Sequence, residues 1–360
     1  MEKKKKVLWW GRFDPDYSRN RVCISLFRRL GWDVDFFFVK LWPRFGDVEA
    51  FFRGLQFREK PDLVWVPVAR HRDMLAACRW AHRRGIPVIF DPLISAWDKK
   101  VLEQLKWKAH EPRARRLHAL ERKIMHSPDF VVWDTVCHID FCEREYEVPR
   151  SKMSHLFIAT DESVFKPRPA PERDDSSFNV LFYGSFLPLH GVEHIVEAAR
   201  MTQGTGIRWI LLGGRRHRAA IEMMARDVSN VTFLDPVPYE KLPEAISSAD
   251  VVLGVFGTSE KASRVIANKV YEAMSCARPI VNEFCAGYPP EAKDCKSIKF
   301  VPPGDARAIA DAVRAYRDDW SDRESYFAAA REFFERFLSM EVAERQLAGI
   351  LDEVMSRATR

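Results

Sequence analysis

A chain of 360 residues with 47% hydrophobic side chains, 30% charged side chains and a mean hydropathy of -0.28 is not a disordered segment, a fibrous repeat or a membrane bundle. Single hydrophobic cores stop growing at roughly 250 to 300 residues, so this length predicts two domains. The net charge of +6 is slight for a nucleic-acid binder. Nine cations against three carboxylates fall within residues 99–123, where Trp107 is the single aromatic and offers no stacking platform, so no nucleic-acid partner is expected.

Short apolar runs alternate with amphipathic helical stretches, the pattern of parallel α/β sheets. In the first half, strands are expected at 7–10, 34–39, 63–66, 87–90, 130–133 and 153–158. The second half predicts them at 178–183, 208–212, 231–234, 251–255, 279–281 and 299–301. Between the halves, Pro167, Pro169 and Pro171 with mixed charge read as a linker. The expected division is an N-terminal domain at 1–160, a linker at 161–177, a C-terminal domain at 178–338, and a terminal helix at 339–360 returning to the first domain.

The seven cysteines are odd in number and contain no C-x-x-C pair, which predicts reduced thiols and no zinc site. The apolar run at 7–10 is too short for a signal-peptide core, and no run approaches the roughly 20 residues of a membrane span. A cytoplasmic protein is the expectation.

The halves open alike. Val7-Leu8-Trp9-Trp10-Gly11-Arg12-Phe13 and Val180-Leu181-Phe182-Tyr183-Gly184-Ser185-Phe186 share the pattern V-L-aromatic-aromatic-G-x-F, a buried strand ending in glycine before a loop and helix. Such a start either lets backbone amides approach a phosphate or is a plain structural turn. Neither copy has G-x-G-x-x-G, which argues against a dehydrogenase. Further on, Lys269 and Glu272 are three apart on one helix face near its N-terminus. There they either meet a phosphate and a ribose diol or form a surface ion pair.

Taken in order, Tyr183-Gly184-Ser185 to His190-Gly191, Leu212-Gly213-Gly214, Asn230 to Leu234, Asp250 to Gly254 and Asn268-Lys269-Val270-Tyr271-Glu272 resemble the donor-binding domain of GT-B glycosyltransferases of the family-4 type. The resemblance is close over 178–285 and looser in the first half, through 129–143 and 149–165. It implies an α/β protein of two Rossmann-like domains facing each other across a cleft. The implied reaction is retaining, metal-independent transfer of a sugar, of the hexosyl kind, from a UDP- or GDP-sugar, with no cofactor beyond that donor. Glu272 then holds the ribose, Lys269 and the Gly184 and Ser185 amides hold the diphosphate, and Gly213, Arg215 and Val237 lie near the base, with Asn268 beside them. Where the family usually carries an acidic residue eight positions before its ribose glutamate, this chain has Arg264; where it carries two phosphate-loop cations, this chain has Ser185 and His190. Arg264 can return one of those charges, and His190 either contacts the diphosphate or caps the helix.

In the first domain, Asp91 stands where many relatives carry a histidine near the reacting sugar, so it is a catalytic candidate with a loop cap as the alternative. Asp98 follows in the same loop. His138, after another strand end, is a second catalytic candidate or a helix-start histidine. The loop after Gly11 is long and polar, so Gly11 and Arg12 join Asp98 and Arg19 as acceptor candidates; Arg19 suits an acceptor phosphate or carboxylate, or Ser18 simply caps the helix.

The expected acceptor is a glycan or a lipid-linked sugar, whose identity and linkage the sequence does not give. Residues 99–123 alternate cations with Val101, Leu102, Leu105, Trp107, Leu117 and Leu120, interrupted by Pro112. They form either a face for an anionic membrane at its inner side or an ordinary solvated helix pair. Competing functions are a GT-B sugar-nucleotide epimerase or phosphorylase, and a non-catalytic GT-B subunit.

Overall fold

The computed structural model describes residues 4–41, 45–54, 60–169, 177–214 and 217–358. The chain forms two compact units, 1–158 with 341–360, and 159–340. In chain order, unit 1 comprises β1 (Lys6–Gly11), α1 (Ser18–Arg29), β2 (Asp33–Phe38), α2 (Gly46–Gly54), β3 (Leu63–Val66), α3 (His71–His82), β4 (Val88–Phe90), α4 (Pro112–His126), β5 (Phe130–Trp133), α5 (Val136–Tyr146) and β6 (Met153–His155). Among the described residues its sheet has six parallel strands in the order β2-β1-β3-β4-β5-β6. Strands such as Leu63-Val64-Trp65-Val66 are buried throughout because helices cover both faces, which is why they read as unbroken apolar runs.

Unit 2 repeats the plan. It holds β7 (Phe178–Gly184), α6 (Val192–Arg200), β8 (Ile207–Gly213), α7 (Arg218–Met224), β9 (Val231–Leu234), α8 (Leu242–Ser247), β10 (Val251–Leu253), α9 (Asn268–Ser275), β11 (Ile280–Glu283), β12 (Ile298–Val301), α10 (Ala306–Asp318) and α11 (Arg323–Phe333). Its six described strands are parallel in the order β12-β11-β10-β7-β8-β9. Helix α12 (Met340–Ala358) ends the described chain, and all but its first residue belongs to unit 1.

All twelve expected strands are present in the expected order, with ends shifted by up to three residues. The stretch expected as a linker behaves differently where it is described. Phe165 is fully buried, its carbonyl accepts the Ser275 hydroxyl at 2.6 Å and its ring meets Tyr239 at 5.1 Å, so this part is packed into unit 2. Residues 170–176 lie outside the described residues. Pro112 does divide the basic segment, leaving a π-helical turn (Asp98–Glu103) before it and serving as the first residue of α4, where its missing N–H costs nothing.

In each sheet the first strand sends its neighbours to both sides. The connections therefore diverge between β1 and β3 in unit 1 and between β7 and β10 in unit 2. In open α/β sheets such points leave a crevice at the carboxyl ends of the strands, and ligands bind there.

Candidate active site

In unit 2 the carboxyl end of β7 delivers Gly184, and α9 delivers Lys269 and Glu272. Gly184 has φ +150, and a Cβ there would sit 3.2 Å from His190 Cε1 and 3.8 Å from Lys269 Nζ. Beside it, Gly213 at the end of β8 has φ +111. A side chain at Gly213 would collide with the Gly184 carbonyl oxygen, which accepts the Gly214 amide at 2.8 Å. The two glycines let the strand ends close on each other and keep the space before them free of side chains.

Lys269 is only 6% exposed, lies 4.5 Å from the centre of the Phe182 ring, and has no carboxylate within ion-pair distance among the described residues. Burial lowers its pKa to about 7, and the Glu272 charge opposes that only partly. Glu272, 7% exposed, accepts the Tyr183 hydroxyl on Oε2 at 2.6 Å. Burial raises its carboxyl above the ordinary range, although the Tyr183 hydrogen bond and Lys269 both work against this. Its Oε1 accepts no hydrogen bond among the described residues. Lys269 and Glu272 are thus not the surface ion pair that their spacing allowed.

His190 closes the turn that precedes α6: its Nδ1 accepts the Leu187 amide at 3.2 Å. Burial first, and the Lys269 charge second, push its pKa well below the ordinary value, so it is a neutral ring that can donate from Nε2. His190 therefore caps the turn and also lines the space before Gly184. Ser185 is exposed beside it, and Asn268 is half-buried at the start of α9. Arg264 does not supply a free cation, because its Nη1 donates to Glu260 Oε1 at 2.9 Å. Val237 is exposed after β9, and Arg215 lies outside the described residues.

In unit 1 the two residues expected to serve the acceptor and the reaction are paired with each other. Arg19 donates from Nε to Asp91 Oδ2 at 2.9 Å and from Nη2 to Asp91 Oδ1 at 3.3 Å, while Nη1 donates to the carbonyls of Leu156 and Phe157. Both are 1% exposed. Burial lowers the Arg19 pKa, but the Asp91 charge outweighs it and the net shift is upward; burial raises Asp91 in spite of Arg19. A carboxylate and a guanidinium saturated in this way hold structure together, so Asp91 is corrected from catalytic residue to buried anchor and Arg19 from acceptor ligand to its partner.

His138 is likewise a helix-start histidine. Its amide donates to the Thr135 cap, its Nδ1 lies 2.5 Å from Asp134 Oδ1, and its ring stacks on Trp133. Asp98 is buried in the π-helical turn, with its amide bonded to Ser95 Oγ at 3.0 Å. Gly11 and Arg12 lie elsewhere, on a cavity of about 410 Å³ at the carboxyl ends of β1 and β3. Arg12 lines it, and a Cβ on Gly11 would stand 3.0 Å from Arg70, another lining residue.

Tyr183 and Phe182 carried no role in the sequence, because what gives them one is α9, nearly ninety positions later. The buried Glu121, which accepts from the Ala96 and Trp97 amides and from the Ser95 and Tyr146 hydroxyls, also went unread. Asp14-Pro15-Asp16 and Asp33-Val34-Asp35 have D-x-D spacing. Asp33 and Asp35 pair with Lys4 and Lys6, and Asp14 Oδ1 accepts the Asp16 amide, so these carboxylates are engaged locally.

Two paired Rossmann-like units of this kind define the GT-B glycosyltransferase fold, and the chain has that fold. Residues 177–319, which lie within unit 2, match the family model described as glycosyl transferases group 1. The chain is 28% identical over 216 residues to "Putative colanic acid biosynthesis glycosyltransferase WcaL" of Escherichia coli K12, covering 56% of this chain and 52% of that protein. It spans about half the length of the curated relatives it matches. Sucrose-phosphate synthase from Thermosynechococcus elongatus aligns with a TM-score of 0.73 at 17% identity, covering 99% of this chain and 100% of that one. HepE from Anabaena, solved with UDP-glucose, aligns with a TM-score of 0.71 at 12% identity, covering 97% and 99%. At those identities the likeness is one of fold.

Proposed function

We propose that the chain transfers a sugar, with retention at the anomeric carbon, from a UDP- or GDP-sugar bound in unit 2 to a glycan or lipid-linked acceptor. One observation carries the reading: Lys269 is a buried ammonium with no ion-pair partner among the described residues, standing before the side-chain-free end of β7. An anion that enters this space gains a cation already stripped of water, together with the first-turn amides of α9. In transfer, the bond from the anomeric carbon to the diphosphate oxygen breaks, and the leaving diphosphate keeps the electron pair. The acceptor oxygen forms the new bond to the anomeric carbon, and its proton passes to the departing diphosphate oxygen. Lys269 and the His190 Nε2 hydrogen stabilise the charge that grows on the diphosphate, which is where differential binding accelerates a reaction. Glu272 Oε1 is left to accept from a ribose hydroxyl, with Tyr183 holding the carboxylate in place. The group 1 match and the fold shared with a UDP-glucose-bound protein support this reading.

The test is a thermal-shift and calorimetric screen against UDP, GDP, ADP and their sugars. A uridine or guanosine diphosphate that stabilises the chain, with Lys269→Ala and Glu272→Ala each weakening it by about 1.5 to 3 kcal/mol, is the expected result. Absence of any nucleotide response would leave a non-catalytic subunit, and conversion of a nucleotide sugar without acceptor would mean an epimerase. Turnover unchanged by EDTA is expected, with Lys269 taking the place of a divalent ion.

A cytoplasmic location at the inner membrane face is part of the proposal, narrowed by packing. Among the described residues no helix is long and apolar enough to cross a membrane. Val101 is buried, and Leu102, Trp107 and Leu117 pack on the core of unit 1, leaving Leu105 and Leu120 exposed among the cations of 99–123. Vesicle binding that rises with anionic lipid and falls with salt supports attachment, and indifference to both removes it.

A further inference from the structure

The cavity at the carboxyl ends of β1 and β3 has no role in the donor site, and its charges are unusual. Arg12, Arg70, Arg72 and Lys100 line it, and none of the four makes an ion pair among the described residues. The two lining carboxylates are turned to other work. Asp73 Oδ2 accepts the Arg12 amide at 3.1 Å. Glu121 accepts from two amides and two hydroxyls.

The cations are held in place mainly by uncharged groups, and the Asp73 carboxylate acts on Arg12 and Arg70 only from beyond ion-pair distance. Arg12 donates to the carbonyls of Val39, Lys40 and Leu41, Arg70 to those of Ala69 and Arg12, and Lys100 Nζ rests 4.6 Å from the centre of the Trp107 ring. Arg72 of α3 is exposed, and its side chain makes no hydrogen bond or ion pair among the described residues. Across from them, Leu117, Leu120 and Ile124 of α4 form an apolar wall. A cleft with cations oriented by neutral carbonyls concentrates anions, and its position between β1 and β3 is where connections diverge in this sheet.

We propose that this cavity binds the acceptor through an anionic group on a sugar, a carboxylate or a phosphate, with the cations on the charge and the α4 wall against the apolar face of the ring. That the ligand is the acceptor rests on the glycosyl-transfer reading; that the cavity binds an acidic sugar does not.

Titration of the full chain with glucuronate, glucose 6-phosphate and glucose tests it. Either charged sugar should bind in preference to glucose, and which one prevails names the group. Arg72→Ala, on an exposed side chain, and the double variant Arg72→Ala/Lys100→Gln should weaken the preferred sugar, the double variant by roughly tenfold. Both should leave UDP affinity as in the wild type, and Lys269→Met should leave acidic-sugar binding intact. No preference over glucose, or equal binding by wild type and double variant, overturns the proposal. Loss of UDP binding in the wild type would instead overturn the donor reading and leave the sugar titration to be judged on its own.

Discussion

Lys269 and Glu283 are buried ionisable side chains without an ion-pair partner among the described residues, and their titrations have opposite signs. Lys269 is held near 7, against about 10.4 in an unfolded chain. Between those values the unfolded state binds more protons, so stability rises with pH through that window, and the full cost, on the order of 3 to 5 kcal/mol, is borne below 7. Lys269→Met should therefore raise unfolding stability at pH 6 and converge on wild type by pH 10, while weakening UDP binding at least about tenfold. A variant that loses both would mean that Lys269 is structural. Glu283, at the end of β11, is raised by burial to about 7, against about 4.3 unfolded, and its Oε2 has no hydrogen-bond partner. Here the folded state binds more protons between the two values, so stability is present below about 4.3 and is lost as pH rises through 7. Denaturant melts of Glu283→Gln should show a gain on the order of 2 to 3 kcal/mol at pH 8 and almost none at pH 4.

At the level of elements, Arg19 and Asp91 tie three pieces of unit 1 together. Arg19 comes from α1, Asp91 follows β4, and the Leu156 and Phe157 carbonyls follow β6. Removing one partner strands a charge in the core, so Asp91→Ala and Arg19→Ala should each cost about 3 to 5 kcal/mol. Arg19→Met/Asp91→Leu should cost clearly less than the two together, and a sum that simply added would show that the pair is not coupled. UDP affinity should survive in every case, since the pair lies outside unit 2. Nothing local announced this pairing. Both residues sit at positions where ligands are often met, a loop-to-helix start and a strand end, and they are 72 apart in sequence. The His138 contact is different: Asp134 is four residues away, so the helix-start reading was available from spacing alone.

For the molecule as a whole, the chain closes unit 1 with its last helix. Arg29 pairs with Glu344 at 2.5 Å, the Phe157 amide donates to Gln346 Oε1 at 3.0 Å, and Arg357 donates to the Ser151 carbonyl at 2.7 Å. The apolar side of α12, with Ala343, Leu347, Ile350 and Val354, is buried as well. Removal of residues 341–360 should therefore lower the melting transition of unit 1 while the UDP-dependent shift of unit 2 persists. Calorimetry that showed both transitions falling together would indicate that the helix stabilises the whole chain.

Local sequence was enough for the strands, because a strand covered on both faces must be apolar along its length. It was enough also for the class of fold, because alternating strands and helices close only as parallel sheets. Gly184 and Gly213 were legible for a similar reason: where strand ends close on each other, a side chain does not fit. Partners were not legible. Whether Lys269 meets Glu272, whether Asp91 meets solvent or Arg19, and whether Arg12 and Arg72 share a cavity depend on residues brought together from distant positions. Charge, burial and hydrogen bonding act through space, so only the tertiary structure decided which ionisable groups are spent on the fold and which are left for a ligand.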